Sequence, residues 1–366
     1  MKIVGIDGHM IGDRSGGNES YYTNILQNMD FSGTDIHPIL FLRKGVDDKA
    51  YKGVFEIVRF ESDNAFVRNF IELPKLCKKY KLDLLHTQYF IPFSRPCPVV
   101  CTIHDICFEH FKDIFTKKEY FRQKLLIPYA AKHAKYIFTV STHAKNDIVS
   151  HYHVSQDKVI VTYNAVNKNF RKLTDKELQE EELRSKFHIG NSVYVLTVGN
   201  LQPRKNLPKL IRAFVAYKKK HPDDIKLVIV GKKAWMFSDI LKEACQNNRD
   251  IIFTDYVTNT DLIRLYNAAR CFVYPSFFEG FGIPPLEAMA CGTPVAVSNK
   301  TSLPEVVGDA GLYFDPFKEN EIEECIESMI DRKKDENLEK IMKEQVLKFS
   351  WKESVCKIME IYSRFS

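Results

Sequence analysis

Short hydrophobic runs alternate along the chain with longer stretches in which apolar and polar residues are mixed. Several runs are apolar nearly throughout, which is typical of parallel strands covered on both faces. The mixed stretches have the length of helices, so the pattern predicts repeated βα units. In the first half, the predicted strands are Lys2–Asp7, His37–Leu42, Phe55–Phe60, Leu82–Thr87, Val99–His104, Tyr136–Ser141 and Val159–Tyr163.

A charged stretch without strand character, from about Lys168 to Lys186, interrupts the alternation and is interpreted as a linker followed by a surface helix. The alternation then restarts. The predicted strands of this second series are Val193–Gly199, Ile225–Gly231, Ile251–Phe253, Cys271–Tyr274, Pro294–Ser298 and Gly311–Phe314.

Two series of βα units predict two doubly wound α/β domains, as does a length of 366 residues, since one core rarely exceeds about 300. We place the domains at residues 1–170, completed by a C-terminal helix at 350–366, and at residues 171–349. Ligands of such sheets bind outside the carboxyl ends of the strands. We therefore expect the active site in a cleft between the domains.

Composition narrows the class of protein only slightly. The apolar share of 45% and charged share of 27% are ordinary for a globular protein, and a net charge of +6 does not indicate nucleic acid as a partner. The start of the chain resembles a strand rather than a signal peptide, and no apolar run is long enough to cross a bilayer. We expect a cytoplasmic protein, at most peripheral at the inner face of a membrane.

Two compositional features leave alternatives open. Basic residues gather within residues 117–135 around short apolar pieces, which fits either docking on anionic lipid or an ordinary helix with one buried side. None of the nine cysteines forms a Cys-x-x-Cys pair. We therefore expect reduced, mostly buried thiols rather than a zinc site.

Residues 274–294 combine a strand end, a glycine-containing loop and a helix start. Glu279 lies in the loop and Glu287 in the first turns of the helix, while Gly280 and Gly282 allow a ligand to approach the backbone closely. The N-terminus of a helix favours a diphosphate. We expect both glutamates to accept hydrogen bonds from hydroxyl groups of one ligand, although a loop residue and a helix-terminal charge would give the same pattern.

Arg204 and Lys205 follow another predicted strand end, at Gly199, and precede a helix. Arginine makes forked contacts to phosphate and lysine acts as a point charge, so the pair is a candidate diphosphate site. A solvated basic turn is the alternative.

Three strand ends in the first half carry further candidates. They are the turn Gly16–Gly17 before a helix, the pair His104–Asp105, and Ser141. Taken alone, a glycine pair usually marks a tight connection, and a buried histidine is often structural.

The segments Phe278-Glu-Gly-Phe-Gly and Glu287-Ala-Met-Ala-Cys-Gly-Thr-Pro-Val resemble the E-x7-E signature of retaining glycosyltransferases of the family 4 type. The resemblance extends over nearly the whole chain. It implies the GT-B fold, with two Rossmann-like domains facing each other across a cleft. It also implies that a hexose is moved from a nucleotide sugar with retention at the anomeric carbon.

The resemblance also implies roles for individual residues. Glu279 would bind hydroxyls of the donor sugar, Glu287 the ribose, and Arg204 with Lys205 the diphosphate. His104 would contact the donor sugar or the acceptor, and we count it with Arg204, Lys205 and Glu279 as catalytic. Asp105 would orient neighbouring groups and Ser141 would support the site. Further donor contacts are expected from Gly16, Gly17, Gly199, Val257, Gly280, Phe281, Gly282 and Ile283.

No cofactor or metal is expected, because the two cations can neutralise the leaving diphosphate and the chain contains no Asp-x-Asp triplet. The expected partners are a nucleotide-sugar donor and a glycan or lipid-linked acceptor. The stretch Thr102-Ile-His-Asp105 resembles transferases that assemble mannose-containing surface polysaccharides, which favours GDP-mannose, with a UDP-sugar next. A nucleotide-sugar epimerase or hydrolase of the same fold stays open, as does a catalytically silent sugar-nucleotide-binding regulator.

Overall fold

The computed structural model describes residues 1–12, 16–231, 249–331 and 335–365. The chain forms two compact units. The first contains Met1–Asn164 together with Ser350–Ser366, and the second contains Ala165–Phe349. None of the described helices is long and apolar enough to cross a membrane.

The first unit is built on a seven-stranded parallel sheet with the order β3-β2-β1-β4-β5-β6-β7. Burial of the central strand β4 is complete, as expected for a parallel strand between two helical layers. The strands are β1 Lys2–Asp7, β2 Ile36–Leu42, β3 Glu56–Arg59, β4 Leu84–Gln88, β5 Val99–Thr102, β6 Ile137–Thr139 and β7 Val159–Val161.

Helices connect these strands, with a π-helical turn at Arg68–Glu72 and 3-10 turns at Lys112–Ile114 and Gln156–Lys158. The longest helix begins with a capping box, in which Thr116 and Glu119 satisfy each other's backbone N–H groups. The helices are α1 Gly17–Gln27, α2 Ala65–Val67, α3 Leu73–Lys79, α4 Cys107–His110, α5 Lys117–His133 and α6 Thr142–Tyr152.

The second unit has a six-stranded parallel sheet with the order β10-β9-β8-β11-β12-β13. Its strands are β8 Val193–Val198, β9 Ile225–Val230, β10 Ile251–Asp255, β11 Cys271–Tyr274, β12 Val295–Ser298 and β13 Gly311–Phe314. Every strand predicted from the hydrophobic pattern overlaps a strand of the structure, and the predicted α/β class with two parallel sheets is confirmed.

The charged stretch before the second sheet differs in detail from its interpretation, because it forms two short helices rather than one. The break is at Gln179, which adopts a left-handed conformation between them. The helices of this unit are α7 Asp175–Leu178, α8 Glu180–Lys186, α9 Leu207–Lys220, α10 Asn259–Ala268, α11 Ile283–Ala290, α12 Leu303–Val307, α13 Glu319–Asp331 and α14 Glu336–Leu347, with 3-10 turns at Pro203–Lys205 and Gly308–Ala310.

The last helix, α15 Trp351–Ser363, belongs to the first unit. It packs near α1, where the ring of Trp351 lies 6.0 Å from that of Tyr21. The Tyr362 hydroxyl lies 2.5 Å from Nδ1 of His86, a buried residue of β4. The other ring nitrogen of His86 lies 2.7 Å from the Thr102 hydroxyl, so one of the two hydrogen bonds of this buried polar side chain comes from the far end of the chain.

Each sheet carries an apolar core on its face. In the first unit, side chains such as Leu85, Cys101 and Ile137 pack against α3 and α5. In the second, Leu210 and Phe214 of α9 pack over the sheet together with residues of α13. Burial of such side chains contributes about 2 kcal/mol each, which fixes the sheets and thereby the positions of the strand ends.

Candidate functional site

In the second unit, the ends of β8 and β11 bring Arg204, Lys205 and Glu279 together. The two cations lie in the 3-10 turn Pro203–Lys205 that follows β8. The next residue, Asn206, holds this turn against the loop after β11, because its side-chain amide donates to the Pro275 carbonyl at 3.2 Å. The turn is thus anchored on the neighbouring strand end rather than solvated.

Glu279 is 5% exposed and lies at the centre of this cluster. Its Oε2 accepts from Arg204 Nη1 at 2.7 Å, and its Oε1 accepts from Lys205 Nζ at 2.6 Å. The hydroxyls of Ser276 and Tyr274 also donate to Oε1, at 2.5 and 3.0 Å. The structure therefore brings three predicted site residues together as one buried ion-pair cluster.

The electrostatics of the cluster favour an ionised Glu279. Burial alone raises the pKa of a carboxyl group, but Arg204 and Lys205 together with the Ser276 hydroxyl outweigh it and lower the pKa of Glu279 to about 2. The Tyr274 hydroxyl responds in the opposite way, since burial and the neighbouring carboxylates raise its pKa. At neutral pH the cluster thus contains one carboxylate, two cations and a neutral phenol.

The loop from Glu279 to Ile283 is held by hydrogen bonds to its backbone carbonyls, and its conformation depends on Gly282. The Ser302 hydroxyl donates to the carbonyls of Glu279 and Phe281, at 2.9 and 2.8 Å. Gly282 has a φ of 103°, and a Cβ there would lie 2.6 Å from Leu303 Cδ2, so the position needs glycine. The loop leads into α11, whose second and third residues are prolines without N–H groups.

Glu287 lies in the second turn of α11, and its Oε2 accepts from the Tyr266 hydroxyl at 3.0 Å. Burial raises the pKa of Glu287 to about 7, and this hydrogen bond compensates only in part. Both Glu279 and Glu287 raise the pKa of Tyr274, so this tyrosine experiences the field of both carboxylates. The two glutamates of the segment consequently differ strongly in proton affinity.

The other donor-site residues predicted in this unit lie at strand ends. Gly199 follows β8 and donates its N–H to the Val230 carbonyl at 2.9 Å. Gly231, which follows β9, has no room for a side chain, since a Cβ would lie 2.0 Å from the Gly199 oxygen. Val257 follows β10 and is 8% exposed, beside the exposed Tyr256.

His104 lies in the first unit, just beyond β5, and is 5% exposed. Its ring packs edge-on against Tyr21 at 4.9 Å and lies 5.5 Å from the ring of Tyr89. Burial lowers the pKa of His104 to about 3, so the imidazole is neutral at physiological pH. Its Nε2 is buried and has no hydrogen-bond partner among the described residues.

The side chains of Asp105 and Ser141 each accept a hydrogen bond from a backbone N–H near the start of a helix. An Asp105 oxygen accepts from the backbone N–H of Cys107 at 3.0 Å, at the start of α4. The Ser141 hydroxyl is fully buried and caps α6 by accepting from the Ala144 N–H at 3.0 Å. Both side chains therefore stabilise helix starts, and their predicted supporting roles remain predictions.

Gly16 and Gly17 stand where α1 begins. Gly16 is the N-terminal cap with a φ of 77°, and a Cβ on Gly17 would meet nothing within 4 Å. Residues 13–15, which precede this turn, lie outside the described residues.

Sequence reasoning missed several polar partners of the predicted residues. Tyr274 and Ser276 are within the quoted segment and could have been suspected from their place at the end of β11. Tyr266 is 21 positions before Glu287, and no local pattern links the two. Gln88, at the end of β4, was also missed. Both ends of its buried amide lack a hydrogen-bond partner among the described residues.

Two parallel α/β units, with a buried ion-pair cluster at the strand ends of the second, are the features expected of the GT-B fold. Family models match both halves of the chain: "Glycosyltransferase Family 4" at residues 15–170 and "Glycosyl transferases group 1" at residues 179–348. The chain belongs to this glycosyltransferase family, as its predicted E-x7-E segment indicated.

Among curated relatives, the O-antigen chain mannosyltransferase B of Escherichia coli is 32% identical over 298 residues, covering 78% of this chain and 75% of that protein. The serotype-specific mannosyltransferase WbdA of Escherichia coli is 28% identical over 278 residues, covering 74% of this chain but only 34% of WbdA. The chain thus spans about a third of that longer relative.

The solved structure of Anabaena HepE in complex with UDP and glucose is similar over the full length of both chains, with a TM-score of 0.75 and 19% identity. At this level of identity the likeness concerns the fold, and it agrees with the GT-B assignment.

Proposed function

We propose that this glycosyltransferase is a retaining, metal-independent mannosyltransferase of polysaccharide biosynthesis. It takes the sugar from a nucleotide-sugar donor, with GDP-mannose favoured over a UDP-sugar, and transfers it to a glycan or lipid-linked acceptor. The observation that carries the proposal is the buried cluster of Arg204 and Lys205 around Glu279. Two cations held at a strand end are suited to a diphosphate.

In the proposed complex, the donor diphosphate takes over part of the cationic field that Glu279 neutralises in the free enzyme. Lys205 is mostly buried, with 11% of its side chain exposed, so it acts on the ligand with little screening by solvent. Glu279 then positions hydroxyls of the donor sugar, and the backbone of residues 280–283 binds the phosphates. The cations stabilise the leaving diphosphate without a metal ion.

Glu287 is proposed to bind the ribose of the donor. Its pKa of about 7 means that the carboxyl group changes its charge in the physiological range. The ionised carboxylate is the better acceptor of hydrogen bonds from two ribose hydroxyls. Binding of the nucleotide sugar is therefore expected to release a proton from Glu287 near neutral pH. The Tyr266 hydroxyl donates to Oε2 of Glu287 at 3.0 Å, and a carboxylate has further lone pairs that can accept from a ligand.

The first domain, placed at residues 1–170 with 350–366, is proposed to hold the acceptor, and the domain at 171–349 to hold the donor. His104 and Gln88 support this assignment, because both present buried polar atoms at neighbouring strand ends without a partner among the described residues. Such atoms favour a polar ligand. His104 is proposed as a hydrogen-bonding residue, since its pKa of about 3 does not suit a proton-transfer group at neutral pH.

Without a dedicated base, the chemistry rests on positioning and charge stabilisation. The acceptor hydroxyl attacks the anomeric carbon on the face from which the diphosphate leaves, and a departing phosphate oxygen takes the proton. Retention follows from this same-face attack. The choice of mannose rests on the relatives, which are named as mannosyltransferases.

A thermal-shift screen with GDP-, UDP-, ADP- and dTDP-sugars tests the donor site. Binding at a hundred-fold excess over Kd stabilises the protein by about 2.7 kcal/mol. We expect GDP-mannose to give the largest shift, and Glu287→Ala to weaken it at least about ten-fold in affinity. The matched control is Glu323→Ala, which removes another buried carboxylate of the same unit, paired with Lys220 at 2.7 Å.

The assignment of the donor site is wrong if no sugar nucleotide raises the unfolding temperature of the wild type, or if Glu287→Ala shows the same shift as the wild type. With a competent acceptor, NMR of the product reports the anomeric configuration, and an inverted product contradicts the retaining mechanism. Tight donor binding without turnover on any glycan or lipid-linked acceptor would instead support a silent regulator.

A further inference from the structure

The outer side of α5 is unusual for a surface helix because it exposes large apolar side chains. Phe121 and Leu125 are 67% and 69% exposed. The apolar residues of α5 divide between two faces of the helix, since Ile127, Ala130 and Ala131 are buried in the core. The exposed apolar residues are therefore additional to those that hold the helix on the domain.

Basic side chains share this outer side. At about 100° per residue, Lys118, Phe121, Leu125 and Lys132 fall within about 60° of one another around the helix axis, opposite the buried residues. Lys117 and Arg122 flank them and are also exposed.

The acidic residue of α5 lies off this outer side. Glu119 is about 100° around the helix axis from Lys118, and its carboxylate accepts from the Thr116 hydroxyl at 2.6 Å in the capping box. The side chain of Lys124 already pairs with the carboxylate of Glu109, so it is not counted with the outer cations.

Phe121 and Leu125 form an apolar strip on the outer side of α5, and aromatic rings extend this strip beyond the helix. Tyr129 of α5 contacts Phe93 at 5.0 Å between ring centroids, and Phe93 stacks on Phe70 at 4.7 Å. Phe70 in turn contacts Phe66 at 5.0 Å. Phe93 and Phe66 are 50% and 61% exposed, so the strip joins three separate segments of the chain.

We propose that this aromatic–basic face, formed by Phe66, Phe70, Phe93, Phe121, Leu125 and Tyr129 with Lys117, Lys118, Arg122 and Lys132, docks on an anionic lipid bilayer. Its outer residues from Lys117 to Lys132 lie along about 22 Å of one helix, so a planar partner contacts all of them at once. Apolar side chains enter the headgroup boundary while lysines keep their ammonium groups among the anionic headgroups. Patches of this kind on monomeric proteins mark interaction sites.

Vesicle flotation with the full-length protein tests this proposal. We compare vesicles of phosphatidylcholine alone with vesicles containing a third phosphatidylglycerol. The wild type is expected to bind the anionic vesicles at least about ten-fold more tightly, and to lose affinity as salt is added. The double variant Phe121→Ser/Leu125→Ser is expected to bind about 100-fold more weakly. Lys118→Glu/Lys132→Glu should lose at least about thirty-fold on anionic vesicles only.

The matched control is Lys343→Glu/Leu347→Ser, which changes an exposed lysine and a 71% exposed leucine on α14. It should bind within about two-fold of the wild type. All replaced side chains are exposed, so thermal unfolding of the variants should match that of the wild type, which separates docking from folding.

Absence of wild-type binding to anionic vesicles overturns the proposal, as does equal binding by Phe121→Ser/Leu125→Ser or equal loss in the control. Self-association of the lipid-free protein that disappears in Phe121→Ser/Leu125→Ser also overturns it, since a second copy would then cover this face. None of these outcomes depends on which sugar nucleotide is the donor.

Discussion

Replacing Glu287 by glutamine is expected to stabilise the protein at neutral pH and to have no such effect in acid. The reason is that burial raises the pKa of this carboxyl group from an ordinary 4.5 to about 7. Between these values the unfolded chain has lost the proton while the native state retains it. Native stability therefore falls as pH rises through this window.

The size of the effect follows from the distance between the two values. Each pH unit of difference corresponds to about 1.4 kcal/mol, so the carboxyl group costs the native state about 3 kcal/mol at and above pH 7. Below pH 4.5 both states hold the proton and the cost vanishes. Glutamine can still accept from the Tyr266 hydroxyl through its side-chain carbonyl, so the variant keeps this hydrogen bond.

Glu279→Gln supplies a control of opposite sign. The pKa of Glu279 is lowered to about 2, so its charge stabilises the native state fully above 4.5, and this contribution disappears as pH falls towards 2. We expect Glu279→Gln to lose about 3 kcal/mol at neutral pH, because Arg204 and Lys205 also lose their carboxylate. The two glutamines are chemically identical replacements eight positions apart.

Urea unfolding at a series of pH values, without ligand, measures both effects as differences from the wild type. A Glu287→Gln difference that does not change between about pH 4 and 8 would mean that this carboxyl group titrates normally. The same sign of effect for both variants would refute the assignment of opposite environments to the two glutamates.

Four further variants test other parts of the structure. Gly231→Ala should cost more than about 3 kcal/mol by urea unfolding, because its Cβ would lie 2.0 Å from a backbone oxygen, while Gly17→Ala, with nothing within 4 Å, should change stability by less than about 1 kcal/mol. Thr116→Ala should lose about 1 kcal/mol through its capping box, and a loss below about 0.3 kcal/mol would contradict the cap. His104→Gln should slow sugar transfer but keep the wild-type dependence of kcat/KM on pH from about 5 to 8, since His104 stays neutral there, and a missing ionisation in the variant would contradict this.

The hydrophobic pattern predicted the strands well because a parallel strand needs apolar residues on both faces. This requirement produces a short, continuous run of apolar residues that can be recognised in the sequence. The carboxyl ends of the strands then place the chemical residues. Arg204 follows β8 and Glu279 follows β11, and these strands are neighbours in the sheet. The sequence predicted that both residues follow strands, and the strand order of the sheet brings those two strand ends side by side.

The contacts that set proton affinity could not be predicted in the same way. Glu279 and Glu287 have the same side chain and belong to one short segment, yet the pKa of one is lowered and that of the other raised. The difference comes from partners elsewhere in the chain: two cations 75 and 74 positions before Glu279, and a tyrosine hydroxyl 21 positions before Glu287. Those distances in sequence are bridged by strand order and side-chain packing, which no local pattern encodes.

The different surroundings of Glu279 and Glu287 suit them to different roles in the proposed donor site. Arg204 and Lys205 would repel each other if no anion lay between them, and in the free protein Glu279 neutralises part of their charge. Burial raises the pKa of Glu287 to about 7, so on the proposed function this carboxyl group loses its proton when ribose hydroxyls donate to it. On the proposed function, Glu279 keeps the two cations in position, and Glu287 changes its charge when the ligand binds. The two glutamates therefore act differently because their surroundings differ, although their side chains are the same.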